Sequence, residues 1–351
     1  MAEVSKAKLV VYLVSSVLLI TFVFYGYQIL FTPNILVDRE DQSFIVRNGY
    51  TYRQVQNDLA KGRFVNDFVS FSFLARLMNY DNEIKPGRYS LRRNMTNIEA
   101  IRVLKAGMQE PVNITFTHVR LLSELGDKIT KNTGVSAREF YEALDDFVSD
   151  NKEGFTQETI LCMFLPNTYE VYFNVLPGYL VERMHTEYLK FWNEERLEKA
   201  KKMGLTPIEV SILASIVQAE TVKQDEAPII AGLYINRLKK DMALQADPTL
   251  VFASGDFALK RVLNEHKEVD SPYNTYMHTG LPPGPINMPR ITILDAVLDY
   301  SNHKYIYMCA REDFSGYHNF AVTLAEHSKN ARKYQTALSI EQRKGRAAKK
   351  K

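Results

Sequence analysis

From Leu9 to Phe31 the chain runs 23 residues without a charge (LVVYLVSSVLLITFVFYGYQILF). At about 1.5 Å per residue this is enough to cross a ~30 Å hydrocarbon core, so the pattern predicts one transmembrane helix over 9–31. Lys6 and Lys8 precede the run, whereas Asp38, Glu40 and Asp41 follow it. The positive-inside bias then keeps residues 1–8 cytoplasmic and exports the rest. A cleaved signal peptide is the competing reading. The run is longer than the roughly 7 to 15 residues of a signal h-region, and Thr32, Pro33 and Asn34 offer no small-residue cleavage site, which favours an uncleaved anchor.

Beyond the anchor the periodicity changes every few residues. Within 43–108, Gly49-Tyr50-Thr51 precedes a helical pattern through Leu59, and a second apolar segment covers Phe68 to Met78. Pro86-Gly87 then makes a turn into a short alternating run, and Asn97 to Gly107 reads as a helix ending in glycine. This order of strand, helix, helix and strand resembles a LysM-like carbohydrate-binding module; a spacer domain is the plainer alternative.

A connecting α/β region spans 109–204. Val112, Ile114 and Phe116 alternate as in a half-buried strand, and Leu121 to Thr133 and Ser136 to Phe147 read as helices. Leu180 to Met203 reads as one long amphipathic helix, with Met184, Tyr188 and Trp192 on one face and Gly204 just beyond its end. A further α+β domain covers 205–340. The remaining 341–351 read as a basic disordered tail, since Arg343, Lys344, Arg346, Lys349, Lys350 and Lys351 crowd its end.

Charge narrows the function classes. Lys and Arg number 44 against 41 Asp and Glu, and with six cations in the tail the body is near neutral, without the broad cationic face of a nucleic-acid binder. Cys162 and Cys309 sit in apolar runs and read as buried free thiols, or as one long-range disulfide in an oxidising compartment. The sequence has no His-Glu-x-x-His and no Cys-x-x-Cys, so metal chemistry has no motif to rest on and no cofactor is expected. Ser301-x-x-Lys304 and His278-Thr279-Gly280 superficially resemble penicillin-binding motifs but occur in the wrong order.

One position stands apart. Thr206-Pro207-Ile208-Glu209 carries an N-cap, a first-turn proline and a capping box, so a helix starts there. Its apolar stripe steps through Ile208, Ile212 and Ile216, and the next step is Glu220. A carboxylate on a core-facing stripe either pairs with a cation or holds a proton through a raised pKa, which is how general acids are made. Read as plain structure, Glu220 is instead a residue at a fraying helix end, turned to solvent. Downstream, Asp225 can cap a second helix that carries Asn236 and Arg237. Polar residues then cluster at Leu244-Gln245-Ala246-Asp247-Pro248 and Ser271-Pro272-Tyr273-Asn274-Thr275-Tyr276, before the proline-stiffened Gly280-Leu281-Pro282-Pro283-Gly284-Pro285-Ile286. Flat tyrosine rings and amides suit sugar rings; an ordinary proline-rich surface connection is the other reading.

The segments LASIVQAET, IIAGLYINRLKKDMALQADPTLVFA, SPYNTYMHTGLPPGPI and HNFAVTLAEH, in this order and spacing, resemble the endolytic murein transglycosylase family, also called YceG-like. The resemblance is close over roughly 205–335 and looser in the front half, through IKPGRYSL and FLPNTYEVY. The family's frequent EKET is QAET here, so Gln218 stands at its first acidic position and Glu220 at its second, and its usual Pro-Glu-Gly is replaced by Thr117-His118-Val119-Arg120.

The resemblance implies an α+β fold with a single N-terminal transmembrane helix, a LysM-like βααβ module and a C-terminal α+β catalytic domain. It implies a single-pass protein of the bacterial inner membrane, catalytic on the periplasmic side, that cuts within peptidoglycan glycan strands beside wall synthases. Glu220 would be its one catalytic acid/base and 1,6-anhydro ends its product. Gln245, Asp247, Tyr273, Asn274 and Tyr276 are the candidates for holding sugar. Glu226, Asn236, Arg237 and His318 are the candidates for support. The alternatives are a lysozyme-like hydrolase, which needs a second carboxylate, and a membrane-tethered wall-binding scaffold without catalysis.

Overall fold

The computed structural model of the protein describes residues 5–37, 41–259 and 262–348. Asp38 and Glu40, used above to orient the anchor, lie outside these residues, as do Lys349, Lys350 and Lys351. The chain divides into two compact units. One comprises Met1–Ile114, Thr130–Ser136 and Tyr169–Leu176; the other comprises Thr115–Ile129, Ala137–Thr168 and Pro177–Lys351.

In the first unit the apolar run forms α1 (Lys6–Phe31), a helix of 26 residues and therefore about 39 Å long. Its apolar side chains, Leu18 and Phe22 among them, are exposed. The hydroxyls of Ser16 and Thr21 donate back to the carbonyls of Tyr12 and Val17, each at 2.8 Å, so these polar groups are satisfied within the helix itself.

The module that follows has the expected order: β1 (Asp41–Val46), α2 (Tyr52–Lys61), α3 (Phe68–Leu77), β2 (Gly87–Arg92) and α4 (Asn97–Ala106). Strands β1 and β2 pair antiparallel with Phe44 opposite Tyr89. Alternation sends Phe44, Val46, Tyr89 and Leu91 inward, where they meet Val55 and Leu59 of α2, Phe71 and Leu74 of α3, and Ile101 and Leu104 of α4. Asp67 caps α3 through the N–H groups of Val69 and Ser70, and a Thr96–Glu99 capping box starts α4. Gly107, at φ 75°, ends α4 in the left-handed conformation that a side chain would disfavour.

Two departures mark the connecting region. After β3 (Pro111–Phe116) the expected Leu121 to Thr133 helix shrinks to a 3₁₀ turn at Leu122–Glu124 and the short α5 (Leu125–Ile129), followed by α6 (Ala137–Ser149). Strand β4 (Asn167–Tyr172) pairs with β3. The long Leu180 to Met203 helix is two helices, α7 (Pro177–Phe191) and α8 (Glu194–Met203). The break comes at Asn193, whose side chain accepts the Arg196 N–H at 3.0 Å and caps a new helix; amphipathic periodicity continues across such a break and hides it.

The second unit is built around α9 (Pro207–Glu220), against which α10 (Ala227–Leu238), α11 (Asp247–Ser254) and α12 (Ile291–Leu298) pack. The Thr206–Glu209 capping box forms as expected. Every residue from Val210 to Val217 is buried, so α9 carries no single apolar stripe but is covered all round. A hairpin of β5 (Tyr307–Ala310) and β6 (His318–Ala321) leads into α13 (Leu324–Ala348). Within the stretch read as a tail from 341 the backbone is helical through Ala348, because seven of those eight residues are the strong helix formers Glu, Gln, Arg, Lys and Ala, with Gly345 the one poor former. Cys162 and Cys309 are both free.

Candidate active site

The site forms where the C-terminal end of α9 meets three loops. The segment 282–288 is tied to α9: the Ile286 N–H donates to Ser215 Oγ at 3.0 Å, and Asn287 Nδ2 donates to the Ser215 carbonyl at 2.8 Å. Gln218, two residues before the end of α9, donates from Nε2 to Asn287 Oδ1 at 2.8 Å, and the Met288 N–H reaches the Val119 carbonyl at 2.8 Å. Gly284 is required by close approach, because a Cβ there would fall 2.2 Å from the Glu158 carbonyl oxygen. A rigid floor results, and Glu220 emerges from it as the last residue of α9.

Glu220 Oε1 accepts a 2.6 Å hydrogen bond from Tyr234 Oη of α10. Its carboxyl group is pushed up to about 7, first by loss of hydration and further by the charge of Asp247, with the Tyr234 hydrogen bond opposing. Its place in the last turn of α9, at the negative end of the helix dipole, acts in the same upward direction. Tyr234 itself is held far above the usual phenol range by burial and by Glu220, so it remains a donor.

Glu220 borders two cavities. One, of about 390 Å³, is lined by Tyr234, Arg237, Gln245, Asp247, Tyr276 and His318, among others. The other, of about 920 Å³, runs past His118, Arg120, Gln218, Phe252 and Tyr334. Asp247 also borders both.

Of the five residues expected to hold sugar, three are brought to Glu220. Gln245 adopts φ 52° and anchors its loop by donating its N–H to the Thr275 carbonyl at 2.9 Å. Asp247 starts α11 and accepts from Tyr276 Oη at 2.6 Å, which raises the Tyr276 pKa together with burial, the larger cause. The other two are placed away from Glu220. Asn274 is fully buried and its amide donates at 2.9 Å to the carbonyls of Lys267 and Val269, while Oδ1 accepts the Tyr276 N–H. Asn side chains substitute for backbone in turns, and here that role competes with sugar binding. Tyr273 packs its ring on Phe252 at 4.7 Å and lines neither cavity. Both shape the loop that presents Tyr276.

The four supporting candidates each hold a loop. Arg237 donates to the carbonyls of Ala243, Leu244 and Ile306 at 2.7 to 2.9 Å and to Gln245 Oε1 at 3.2 Å, clamping the 243–245 turn beside the start of β5. Asn236 donates to the carbonyls of His303 and Tyr305. Buried Glu226 accepts from the His318 backbone at 2.8 Å and lies 2.9 Å from His318 Nδ1. Sequence reasoning missed Tyr234. The available signal was a tyrosine amid the buried apolar residues of α10, whose hydroxyl must find a partner.

A family model described as the YceG-like family matches residues 44–333. The chain belongs to the YceG-like family. Glu220, Tyr234 and all nine expected binding and supporting residues lie within the matched span. A protein of Streptococcus pneumoniae serotype 2 strain D39 named endolytic murein transglycosylase is 25% identical over 340 residues, covering 87% of this chain and 61% of that protein. The chain thus spans about three fifths of the length of that relative, and the same share of its counterpart in strain R6. A protein of the same name from Bacillus subtilis strain 168 is 28% identical over 308 residues, covering 82% of this YceG-like chain and 83% of its own length. The 2.6 Å crystal structure of a YceG-like protein from Listeria monocytogenes shares the fold with a TM-score of 0.55, at 24% identity, over 83% of this chain and 98% of that one.

Proposed function

We propose that this YceG-like protein is a membrane-anchored endolytic murein transglycosylase that cleaves peptidoglycan glycan strands internally with Glu220 as its single acid and base. The observation that carries this reading is a carboxyl group with a pKa near 7, fixed at the junction of two cavities by a tyrosine hydrogen bond. Neutral Glu220 donates its proton to the glycosidic oxygen as the bond from the muramic sugar breaks. The resulting carboxylate then takes the proton of that sugar's own C6 hydroxyl, whose oxygen closes on C1 to give a 1,6-anhydro end. Attack from within one molecule needs neither water nor a metal, so the protein's work is to hold the ring and to tune one proton. Gln245, Asp247 and Tyr276 line the smaller cavity and are the groups suited to holding it.

The anchor reading rests on α1, which is long and apolar enough to cross a bilayer. Lys6 and Lys8 at its start favour a cytoplasmic N-terminus, with the two-unit body on the outer side of the bacterial inner membrane, within reach of wall synthases. The βααβ order of 41–106 fits a LysM-like, glycan-contacting module. A lysozyme-like hydrolysis is the second reading, favoured by one observation: Asp247 borders both cavities with Glu220.

Digestion of purified wall glycan in heavy-oxygen water separates the two. Transglycosylation gives unlabelled products one water lighter than hydrolysis products, whereas labelled reducing ends establish the hydrolase. A chain that sediments with the polymer and leaves its length unchanged overturns both in favour of a scaffold.

A further inference from the structure

Helix α3 carries an apolar face that none of the described residues covers. Its inner residues Phe71, Leu74 and Ala75 are in the core, yet Val69, Phe73 and Leu77 are 73%, 58% and 71% exposed. They recur every four residues, so they form one continuous strip along the helix. A row of three large apolar side chains on one short helix marks an interaction surface rather than scattered surface hydrophobicity. Arg76, exposed beside the strip, adds one cation at its edge.

Chain continuity indicates what covers it. Ile29 and Leu30, in the last turn of α1, pack against the same core that α3 completes, and Asn97 Nδ2 donates to the Ile29 carbonyl at 3.1 Å. Three residues beyond the end of α1, the Asn34 side chain closes a two-way clamp on the residue that caps α3. Its Nδ2 donates to the Asp67 carbonyl at 2.8 Å, and its Oδ1 accepts the Asp67 N–H at 2.6 Å. The exposed Tyr25, Tyr27 and Phe31 give α1 an aromatic end, the composition found at headgroup depth. The N-terminal end of α3 is therefore held next to the point where α1 leaves the hydrocarbon.

We propose that Val69, Phe73 and Leu77 dock α3 into the lipid interface of the leaflet where α1 ends, so that the βααβ module lies on the membrane instead of swinging above it. This rests on the reading of α1 as a membrane span. The strip then buries as interfacial amphipathic helices do, with the apolar face a few ångströms below the headgroups and Arg76 among the lipid phosphates.

The test uses the full-length chain in vesicles of phosphatidylcholine and phosphatidylglycerol, with and without brominated acyl chains that quench tryptophan on contact. Three variants are compared after subtraction of the wild type, whose single tryptophan is the buried Trp192. Leu18→Trp reports the middle of α1, Tyr27→Trp reports its interfacial end, and Phe73→Trp reports the strip. The expected result is a blue-shifted Phe73→Trp emission quenched to the same order as Tyr27→Trp. If Leu18→Trp is quenched and Phe73→Trp is not, α3 docking is wrong while the anchor stands; a blue shift without quenching assigns the strip to a protein neighbour and equally overturns it. An unquenched Leu18→Trp removes the anchor reading and this proposal together. Val69→Trp, at the clamped end of α3, repeats the measurement should the Phe73 variant fold poorly.

Discussion

At the scale of single residues the proposed chemistry reduces to the proton on Glu220. Because its carboxyl lies near 7 in the folded protein against an ordinary value of 4.5, the folded chain keeps a proton that the unfolded chain has released between those two values. Wild-type stability therefore falls as pH rises through that window. Glu220→Gln should match the wild type below about pH 4.5 and exceed it above about pH 7, by at most on the order of 3 kcal/mol, as read from urea unfolding at several pH values. The same variant should lose about 10²- to 10⁴-fold in glycan cleavage, the share a general acid supplies. Neighbouring groups should move the alkaline limb of the kcat/KM profile in opposite directions. Tyr234→Phe removes a hydrogen bond to the charged form and should shift the limb to higher pH, whereas Asp247→Asn removes a like charge and should shift it lower. Under the hydrolase reading Asp247→Asn would instead be as damaging as the loss of Glu220.

At the scale of elements, helix α9 is the beam on which the site is mounted, and its two ends can be tested separately. Thr206→Ala removes the N-cap at the end remote from Glu220 and should cost about 1 kcal/mol of stability with an unchanged limb in the pH profile. Gly284→Ala acts at the other end. Its Cβ would meet the Glu158 carbonyl, so the segment that bonds Ser215 must move. An overpacking cost of about 1–3 kcal/mol is expected, with a lower kcat/KM for glycan cleavage that Thr206→Ala does not share. Equal kinetic effects of the two variants would show that the 282–288 segment positions nothing beyond the fold.

At the scale of the whole molecule, a reporter fused after Lys351 should be active only in an export-dependent form, whereas a fluorescent cytoplasmic fusion at that point would reverse the orientation of α1. What the sequence determined by itself is what local physics governs. The charge-free run that makes α1, the strand and helix order of 41–106, and the capping box at Thr206 all depend on neighbours within a few residues, and each stands in the structure as read. The raised pKa of Glu220 was legible for a related reason, since a carboxylate at the end of an apolar helix is costly wherever that helix packs. Only tertiary structure decided which polar groups join it. Tyr234 reaches Glu220 across two helices 14 residues apart in sequence, and Asp247 and Tyr276 meet across 29. Asn274, indistinguishable in sequence from a sugar-binding amide, turns inward because two backbone carbonyls of its own loop need donors. The break at Asn193 and the all-round burial of α9 were hidden for the same reason. Periodicity shows which positions are apolar, but the number of surfaces that cover a helix, and the point where it stops, are settled by what packs against it.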